Sequence, residues 1–251
     1  MTAPIVTAAA RLVVATTVLA TLLTAPRAAA AILDAPSPPD ALWRIVSSCI
    51  DAPRPPAGTA YCACPAMARS CCGDPATPDA DVVWNETPAF VAVRDMTACG
   101  CAPGFVAGLA LPRTRVTGIE DPARPDAIWP FAWETARARI PDELAIGLAI
   151  NPEVVRSQNQ LHVHMLRLKP GVRDRLDAAL ATDPTAWGDA SAILLRLPDL
   201  GHVFATVAER VGDAAMGVHG VLVARAPGGG FVALITDRSS PQVYTENRCT
   251  R

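Results

Sequence analysis

The chain has 251 residues, with 22 lysines and arginines against 24 acidic residues, so its formal net charge is −2. The basic residues are scattered and form no run of lysines or arginines, which argues against nucleic-acid binding. This length suffices for one domain with a sizeable core and an additional segment.

The first 31 residues are typical of a secretory signal peptide. They contain no acid, Arg11 precedes the apolar run LVVATTVLATLLTA, and four alanines follow at residues 28–31. This run of 14 residues is shorter than the roughly 20 of a membrane-spanning helix, but an uncleaved N-terminal anchor stays an alternative. Either way we expect the protein in the cell envelope, in the periplasm or on the outer face of the inner membrane.

A Pro-rich linker is predicted for residues 32–40, and a domain for residues 41–251. Apolar residues at helical spacing predict that this domain begins with a helix over residues 41–50. Residues 51–80, rich in proline, glycine and cysteine, predict a loop held by disulfides.

The cysteines support the prediction of a loop held by disulfides. Seven of the eight lie within 53 residues: Cys49, Cys62, Cys64, Cys71, Cys72, Cys99 and Cys101, with Cys249 near the C-terminus. In an oxidising compartment an even number of cysteines predicts disulfides, and the sequence leaves their pairing open. The Cys-x-Cys and Cys-Cys spacings are not typical of structural zinc sites.

The rest of the chain predicts the α+β class, with antiparallel strands and a few helices. The predicted strands cover residues 82–84, 90–93, 105–111, 144–150, 161–168, 220–226 and 231–237. The predicted helices cover residues 125–140, 171–180 and 203–211. Pro130 lies inside the first of these helices, where a proline can cause a kink. The run APGGG between the last two strands predicts a hairpin turn rather than a phosphate-binding loop, since no Lys-Ser/Thr pair follows it.

Two of the four histidines lie in the predicted strand of the segment NQLHVHMLRL. Side chains alternate along a strand, so His162 and His164 lie on one face, while Val163 and Met165 lie on the other and enter a core. Three interpretations are open. The imidazoles are buried structural groups, or they bind a metal with a third ligand from His202, His219 or an acid, or one of them is a nucleophile.

The segment LAINPEVVRSQNQLHVHMLRLKPGVRDRL resembles the histidine-triad superfamily and, within it, the bacterial CDP-diacylglycerol pyrophosphatases. The matching features are a strand that ends in Asn151, a glutamine at position 158 and the His-x-His pair eleven residues after the asparagine. Further elements extend the resemblance over residues 41–249. The third histidine of the triad would stand at position 166, where this chain has Leu166.

The resemblance implies a histidine-triad-like antiparallel sheet with packed helices. It also implies cleavage of CDP-diacylglycerol to CMP and phosphatidate, with His164 as the nucleophile and a nucleotidyl-histidine intermediate. His162 would orient His164 or assist the leaving group. Asn151, Gln158 and Asn159 would donate hydrogen bonds to phosphate oxygens, and Arg115 would add positive charge.

No cofactor or metal is implied. The expected partner is the lipid substrate at a membrane surface, and a homodimer is a further expectation because members of the superfamily often pair. Two alternatives are a metal-dependent hydrolase that uses the His-x-His pair as ligands and a non-catalytic module that binds nucleotides or lipids.

Overall fold

The structure is a computed structural model and describes residues 37–50, 60–182, 187 and 192–249. The predicted signal peptide, the first five residues of the predicted linker and residues 51–59 of the predicted loop lie outside these ranges. Within them no helix is long and apolar enough to cross a membrane. Helices and an antiparallel sheet are both present, so the α+β prediction is confirmed.

The described residues form one eight-stranded antiparallel sheet. Its strands are β1 Val83–Glu86, β2 Phe90–Arg94, β3 Ala107–Pro112, β4 Ile146–Ile150, β5 Val163–Arg167, β6 Ile193–Leu197, β7 His219–Arg225 and β8 Phe231–Asp237. Their order across the sheet is β1-β2-β3-β5-β4-β7-β8-β6, so β5 lies near the centre between β3 and β4. Each predicted strand is present, with its ends shifted by up to two residues.

The edge strand β6 was not predicted. Its sequence ILLRL contains a single β-branched residue, and its side chains do not alternate cleanly between buried and exposed. Leucine and arginine favour helices more than strands. The strand forms because it pairs along its whole length with β8, a long-range interaction that a local pattern does not report.

The helices are α1 Ala41–Arg44, which continues as a π-helix over Ile45–Ile50, α2 Asp79–Val82, α3 Ile128–Arg137, α4 Val172–Thr182 and α5 Val203–Val211. The predicted helices are therefore present, and α5 has the predicted bounds. Pro130 is the third residue of α3. The first four N–H groups of a helix have no intrahelical acceptor, so a proline at this position costs no hydrogen bond and requires no kink.

The two faces of the sheet are covered differently. Helices α3 and α5 pack on one face, and Val163 and Met165 of β5 pack into that core as the alternation predicts. On the other face, the N-terminal segment packs against β2 and β3, and α4 packs near β7 and β8. Since these two covers are separate clusters, the histidine-bearing face of β5 lies at the boundary between them.

Four disulfides are present, as predicted, and they include all eight cysteines. The pairs are Cys49–Cys64, Cys62–Cys71, Cys72–Cys99 and Cys101–Cys249. The first three hold together the N-terminal cover. The fourth joins residues 148 positions apart and ties the C-terminal end to the turn after β2.

Candidate active site

The two histidines of β5 lie side by side at the boundary between the N-terminal cover and the cluster around α4. Both are buried, at 8% relative exposure, and their rings meet edge to face with 4.8 Å between the centroids. The Nδ1 atom of His162 is 2.7 Å from the carbonyl oxygen of Gln160, which accepts a hydrogen bond from it. This fixes the proton of His162 on Nδ1 and leaves Nε2 with a lone pair.

His162 is uncharged at neutral pH. Burial is the main reason that the pKa of its imidazole falls to about 3; the neighbouring imidazole of His164 also lowers this pKa, and the Gln160 carbonyl raises it. A neutral imidazole with a lone pair on Nε2 can accept a proton or a hydrogen bond, but it carries no positive charge to offer a phosphate.

Asp95 is the acidic neighbour of His164. It follows the last residue of β2, its backbone N–H donates to Ala107, and its carboxylate accepts the backbone N–H of Thr97. Its Oδ2 atom lies 3.6 Å from Nδ1 of His164. Burial alone would raise the pKa of the Asp95 carboxyl, but the contact with His164 and the Thr97 N–H outweigh it and hold the pKa below its usual value.

Gln242 contacts the other nitrogen of His164. It lies on a 3₁₀ turn over Pro241–Tyr244, and its side-chain nitrogen is 2.9 Å from Nε2 of His164. An amide nitrogen can only donate, so Nε2 of His164 is the acceptor and the ring proton is on Nδ1, which faces Asp95. This arrangement leaves the lone pair of His164 on the nitrogen opposite the carboxylate.

Both histidines line a cavity of about 260 Å³. Among the described residues, the charged side chains in its wall are Asp95, Arg69 and Arg248. Its apolar wall comes from the N-terminal cover, mainly Leu42 and Ile45 of the first helix. A small cavity lined by two arginines and two imidazoles is suited to a phosphate-containing ligand.

Two of the four predicted substrate ligands line this cavity. Asn151 follows β4, and its side-chain oxygen accepts a 2.6 Å hydrogen bond from Ser240. Gln158 is buried, accepts the backbone N–H of Leu42 and donates to the carbonyl of Pro38. Its amide therefore holds the N-terminal segment against the site.

The other two do not line the cavity. Asn159 donates its backbone N–H to Pro39 at 2.6 Å. Arg115 pairs with Asp40 at 2.6 Å and lies over the ring of Trp43. The backbone of Asn159 and the side chain of Arg115 thus contact the same N-terminal segment that Gln158 holds, and substrate contact by either residue stays a prediction.

The remaining histidines do not line the cavity. His202 precedes α5 without capping it, because Asp126 accepts the backbone N–H groups of Phe204 and Ala205 there. His219 begins β7, with its Nδ1 atom 3.3 Å from the carbonyl of Thr236. In the described residues, no three His, Cys, Asp or Glu side chains are grouped as metal ligands, so neither histidine supplies the third ligand that the metal interpretation requires.

Asp95, Gln242, Arg69 and Arg248 were not predicted as site residues. An acid directly after a buried strand is a recognisable signal for Asp95, since strand ends carry functional side chains onto a rigid scaffold. The other three lie in turns and in the disulfide-held segments, where the fold rather than a local pattern brings them to the cavity.

A family of CDP-diacylglycerol pyrophosphatases matches this chain over residues 37–248. That range includes β5, the cavity and both covers of the histidine-bearing face. The chain belongs to this family. It is therefore an enzyme, a hydrolase of the family that cleaves CDP-diacylglycerol.

Proposed function

We propose that the enzyme cleaves the pyrophosphate bond of CDP-diacylglycerol to CMP and phosphatidate through a nucleotidyl-histidine intermediate on His164. The observation that carries this proposal is the environment of the His164 ring, with Asp95 on the Nδ1 side and the lone pair of Nε2 on the other. A histidine nucleophile requires such a neutral ring, held in one tautomer and next to the substrate.

Asp95 supports the proposed first step through its charge. As Nε2 bonds to phosphorus, the imidazole becomes positively charged, and a buried carboxylate beside Nδ1 stabilises that charge. The separation of 3.6 Å is longer than a hydrogen bond, and such contacts often shorten when substrate binds. Gln242 must release Nε2 before attack, and its amide could then donate to a phosphate oxygen.

The two arginines support the binding of the pyrophosphate. Phosphoryl transfer passes through a loose transition state, so position and charge stabilisation account for most of the catalysis. Arg69 and Arg248 supply positive charge in the cavity wall, and Asn151 supplies an amide. Departing phosphatidate is a stable anion at neutral pH, so it leaves without a proton donor.

His162 is suited to the second step. Its Nδ1 atom is occupied by the Gln160 carbonyl, so Nε2 is the nitrogen available to a reacting water. We propose that Nε2 accepts the proton of the water that releases CMP from His164. The negative charge of a bound phosphate would favour the protonated imidazole and raise the pKa of His162 against the effect of desolvation. His162 would then be a better base.

We further propose that the fold is a branch of the histidine-triad superfamily, in which Leu166 replaces the third histidine. Leu166 is buried on the same face of β5 as the pair. The charged partner of His164 comes instead from Asp95, at the end of another strand. In the cell, we propose a location in the cell envelope, because residues 1–31 are typical of a signal peptide or anchor. A homodimer stays a prediction.

The proposal is tested by incubating the purified protein with CDP-diacylglycerol, a water-soluble CDP-alcohol and a nucleoside diphosphate, with and without EDTA. Released mononucleotide is measured in each case. We expect CMP and phosphatidate from the lipid, with equal rates in EDTA. Loss of activity in EDTA that zinc restores would favour the metal-dependent hydrolase, and absence of turnover with every substrate would favour a binding module.

A further inference from the structure

We propose that the mouth of the active-site cavity is a docking surface for a lipid bilayer, formed by Val154, Val155 and Val243. We call these three side chains the valine rim. This inference rests on the proposed function, since it assigns a role to the surroundings of the same cavity.

Most of the highly exposed large apolar side chains in the described part of the chain belong to the valine rim. Among the described residues four large apolar side chains are highly exposed: Leu144 at 50%, Val154 at 51%, Val155 at 45% and Val243 at 54%. Val155 lines the cavity, Val154 precedes it, and Val243 follows the cavity residue Gln242. Single exposed apolar residues are ordinary, but here one lines the cavity and two are next to cavity residues in sequence, so we infer that the three side chains border its opening.

Both segments of the valine rim are held in place by their neighbours. The turn that carries Val154 is fixed by the backbone N–H of Glu153, which donates to Gly217, and by the ion pair of Arg156 with Glu120 at 2.5 Å. The side chain of Arg156 is only 7% exposed. The fold therefore presents these valines to solvent from a fixed turn.

The segment that carries Val243 is fixed in a comparable way. Tyr244 packs against Trp187 with 5.2 Å between the ring centroids, and the next residue, Thr245, is fully buried. With Gln242 turned towards His164, Val243 is left facing outward between two anchored neighbours.

The size of the cavity favours a bilayer as the partner of the valine rim. Pockets for small ligands typically measure about 300–1,000 Å³, and this one measures about 260 Å³. That space accommodates a pyrophosphate with part of its nucleoside but not two acyl chains in addition. The acyl chains of the substrate then leave through the mouth, past the valine rim, into an apolar phase.

The sequence before Ser37 also favours a bilayer. Ser37, the first described residue, lines the cavity, and eleven residues separate it from the apolar run over residues 12–25. An extended chain of that length reaches about 40 Å at most. If this run is kept as an anchor, the mouth of the cavity stays close to the membrane that holds it.

The test compares vesicles with a soluble substrate. The double substitution Val154→Ser/Val243→Ser removes two rim side chains that do not line the cavity. Leu144→Ser is the matched control, because Leu144 is equally exposed but precedes β4, whereas the rim turn follows the other end of that strand. Each protein is sedimented with vesicles of phosphatidylethanolamine and phosphatidylglycerol. Each is also assayed for CMP release from long-chain CDP-diacylglycerol in those vesicles and from the monomeric dibutyryl analogue.

We expect the double substitution to reduce vesicle binding and vesicle activity about tenfold, since two partly inserted valines are lost. Activity on the dibutyryl analogue should not change, and Leu144→Ser should behave like the unsubstituted protein in every assay. Undiminished vesicle binding by the double variant would overturn the proposal, as would an equal loss on both substrates. A shift from dimer to monomer with unchanged vesicle binding would assign the valine rim to a second copy of the chain.

Failure of the proposed function has a different signature. The unsubstituted protein would then release CMP from neither substrate, while sedimentation of the same three proteins would still decide whether the valine rim binds lipid.

Discussion

The Nδ1 atom of His164 lies 3.6 Å from Oδ2 of Asp95, and both side chains are buried. No closer hydrogen-bond partner of that nitrogen is present among the described residues. The carboxylate is itself held in place by the backbone of Thr97 and by its own position at the end of β2. A carboxylate far away in sequence thus faces the imidazole, and Asp95 is a positioning residue in the proposed mechanism.

Replacement of Asp95 by asparagine tests that role. Asparagine keeps the size and an acceptor for Thr97, but it removes the charge that stabilises a cationic ring on His164. We expect kcat to fall about 100-fold with little change in KM, since the lost interaction forms mainly in the transition state. As a control, Asp121→Asn removes a carboxylate that likewise accepts backbone hydrogen bonds, from Thr117 and Ala123, outside the cavity. An Asp95→Asn enzyme with unchanged kcat would contradict the positioning role.

The roles of the two histidines predict unequal losses. His164→Ala removes the proposed nucleophile and should abolish CMP release, whereas His162→Ala should leave measurable activity because water can attack without an assisting base. The matched control is His202→Ala, at a histidine that does not line the cavity. Steady-state assays on long-chain and soluble substrates measure all three. Full activity of His164→Ala would exclude the covalent mechanism.

The low pKa of His162 predicts a stability that decreases in mild acid. The unfolded chain binds a proton at this side chain below pH 6.5, but the folded protein does so only near pH 3, so protons favour unfolding between these values. The contribution of His162 to the free energy of unfolding is complete above pH 6.5. Below that pH it falls by about 1.4 kcal/mol per pH unit until the pH nears 3.

Urea unfolding at pH 6.5 and pH 5.0 measures this effect. His162→Gln should lose about 2 kcal/mol less than the unsubstituted protein between the two pH values, because glutamine has no proton to bind. His202→Gln should retain the full loss. Equal losses in all three proteins would show that His162 is not buried in its neutral form.

Local pattern was sufficient to predict much of this fold. Alternation along NQLHVHMLRL placed His162 and His164 on one face and Val163 with Met165 in the core, because a strand with one apolar face allows one register. Similarly, the apolar spacing of VFATVAERV gave the bounds of α5. In these cases the local preference and the tertiary structure agree.

The parts that could not be predicted depend on contacts between distant segments. Strand β6 exists through its pairing with β8, and Gln242 reaches His164 across 78 positions of sequence. Arg115 shows the converse. A basic residue in a turn indicated phosphate binding, which stays a prediction, but its ion pair with Asp40 of the N-terminal segment was not indicated by the sequence. Which partner a charged side chain meets is decided by packing.

The disulfides predict a graded loss of stability. In the chain-entropy model the stabilisation grows with the loop that a disulfide closes, so Cys101–Cys249, with 148 residues of separation, should contribute most. We expect paired serine substitutions there to cost about 5 kcal/mol, against about 2.5 kcal/mol for Cys62 and Cys71, which are nine residues apart.

Loss of the long-range disulfide should also reduce activity, because Arg248 lines the cavity directly before Cys249. Denaturant unfolding and CMP release measure the two effects separately. The unsubstituted protein should show no titratable thiol when denatured without reductant. Eight titratable thiols, or a larger loss of stability for the nine-residue pair, would contradict this account.

The last prediction concerns which phosphorus is attacked. Cleavage at the cytidylyl or the phosphatidyl phosphorus gives the same two products, so product analysis alone does not distinguish them. We expect attack on the cytidylyl phosphorus, since the diacylglycerol portion has to extend out of a cavity of about 260 Å³ while the nucleotide portion stays beside His164. A lipid that leaves through the mouth needs no repositioning for the second step.

Hydrolysis in ¹⁸O-labelled water tests this directly. Water would release the cytidylyl group from His164, so the label should be in CMP and absent from phosphatidate. A small alcohol in excess should compete with that water and give some alkyl CMP, because a covalent intermediate accepts either nucleophile. His162→Ala should give the same label distribution at a lower rate, since its proposed role concerns the water and not the choice of phosphorus. Label in phosphatidate would mean that His164 carries no cytidylyl group and that the substrate lies in the cavity in the opposite orientation.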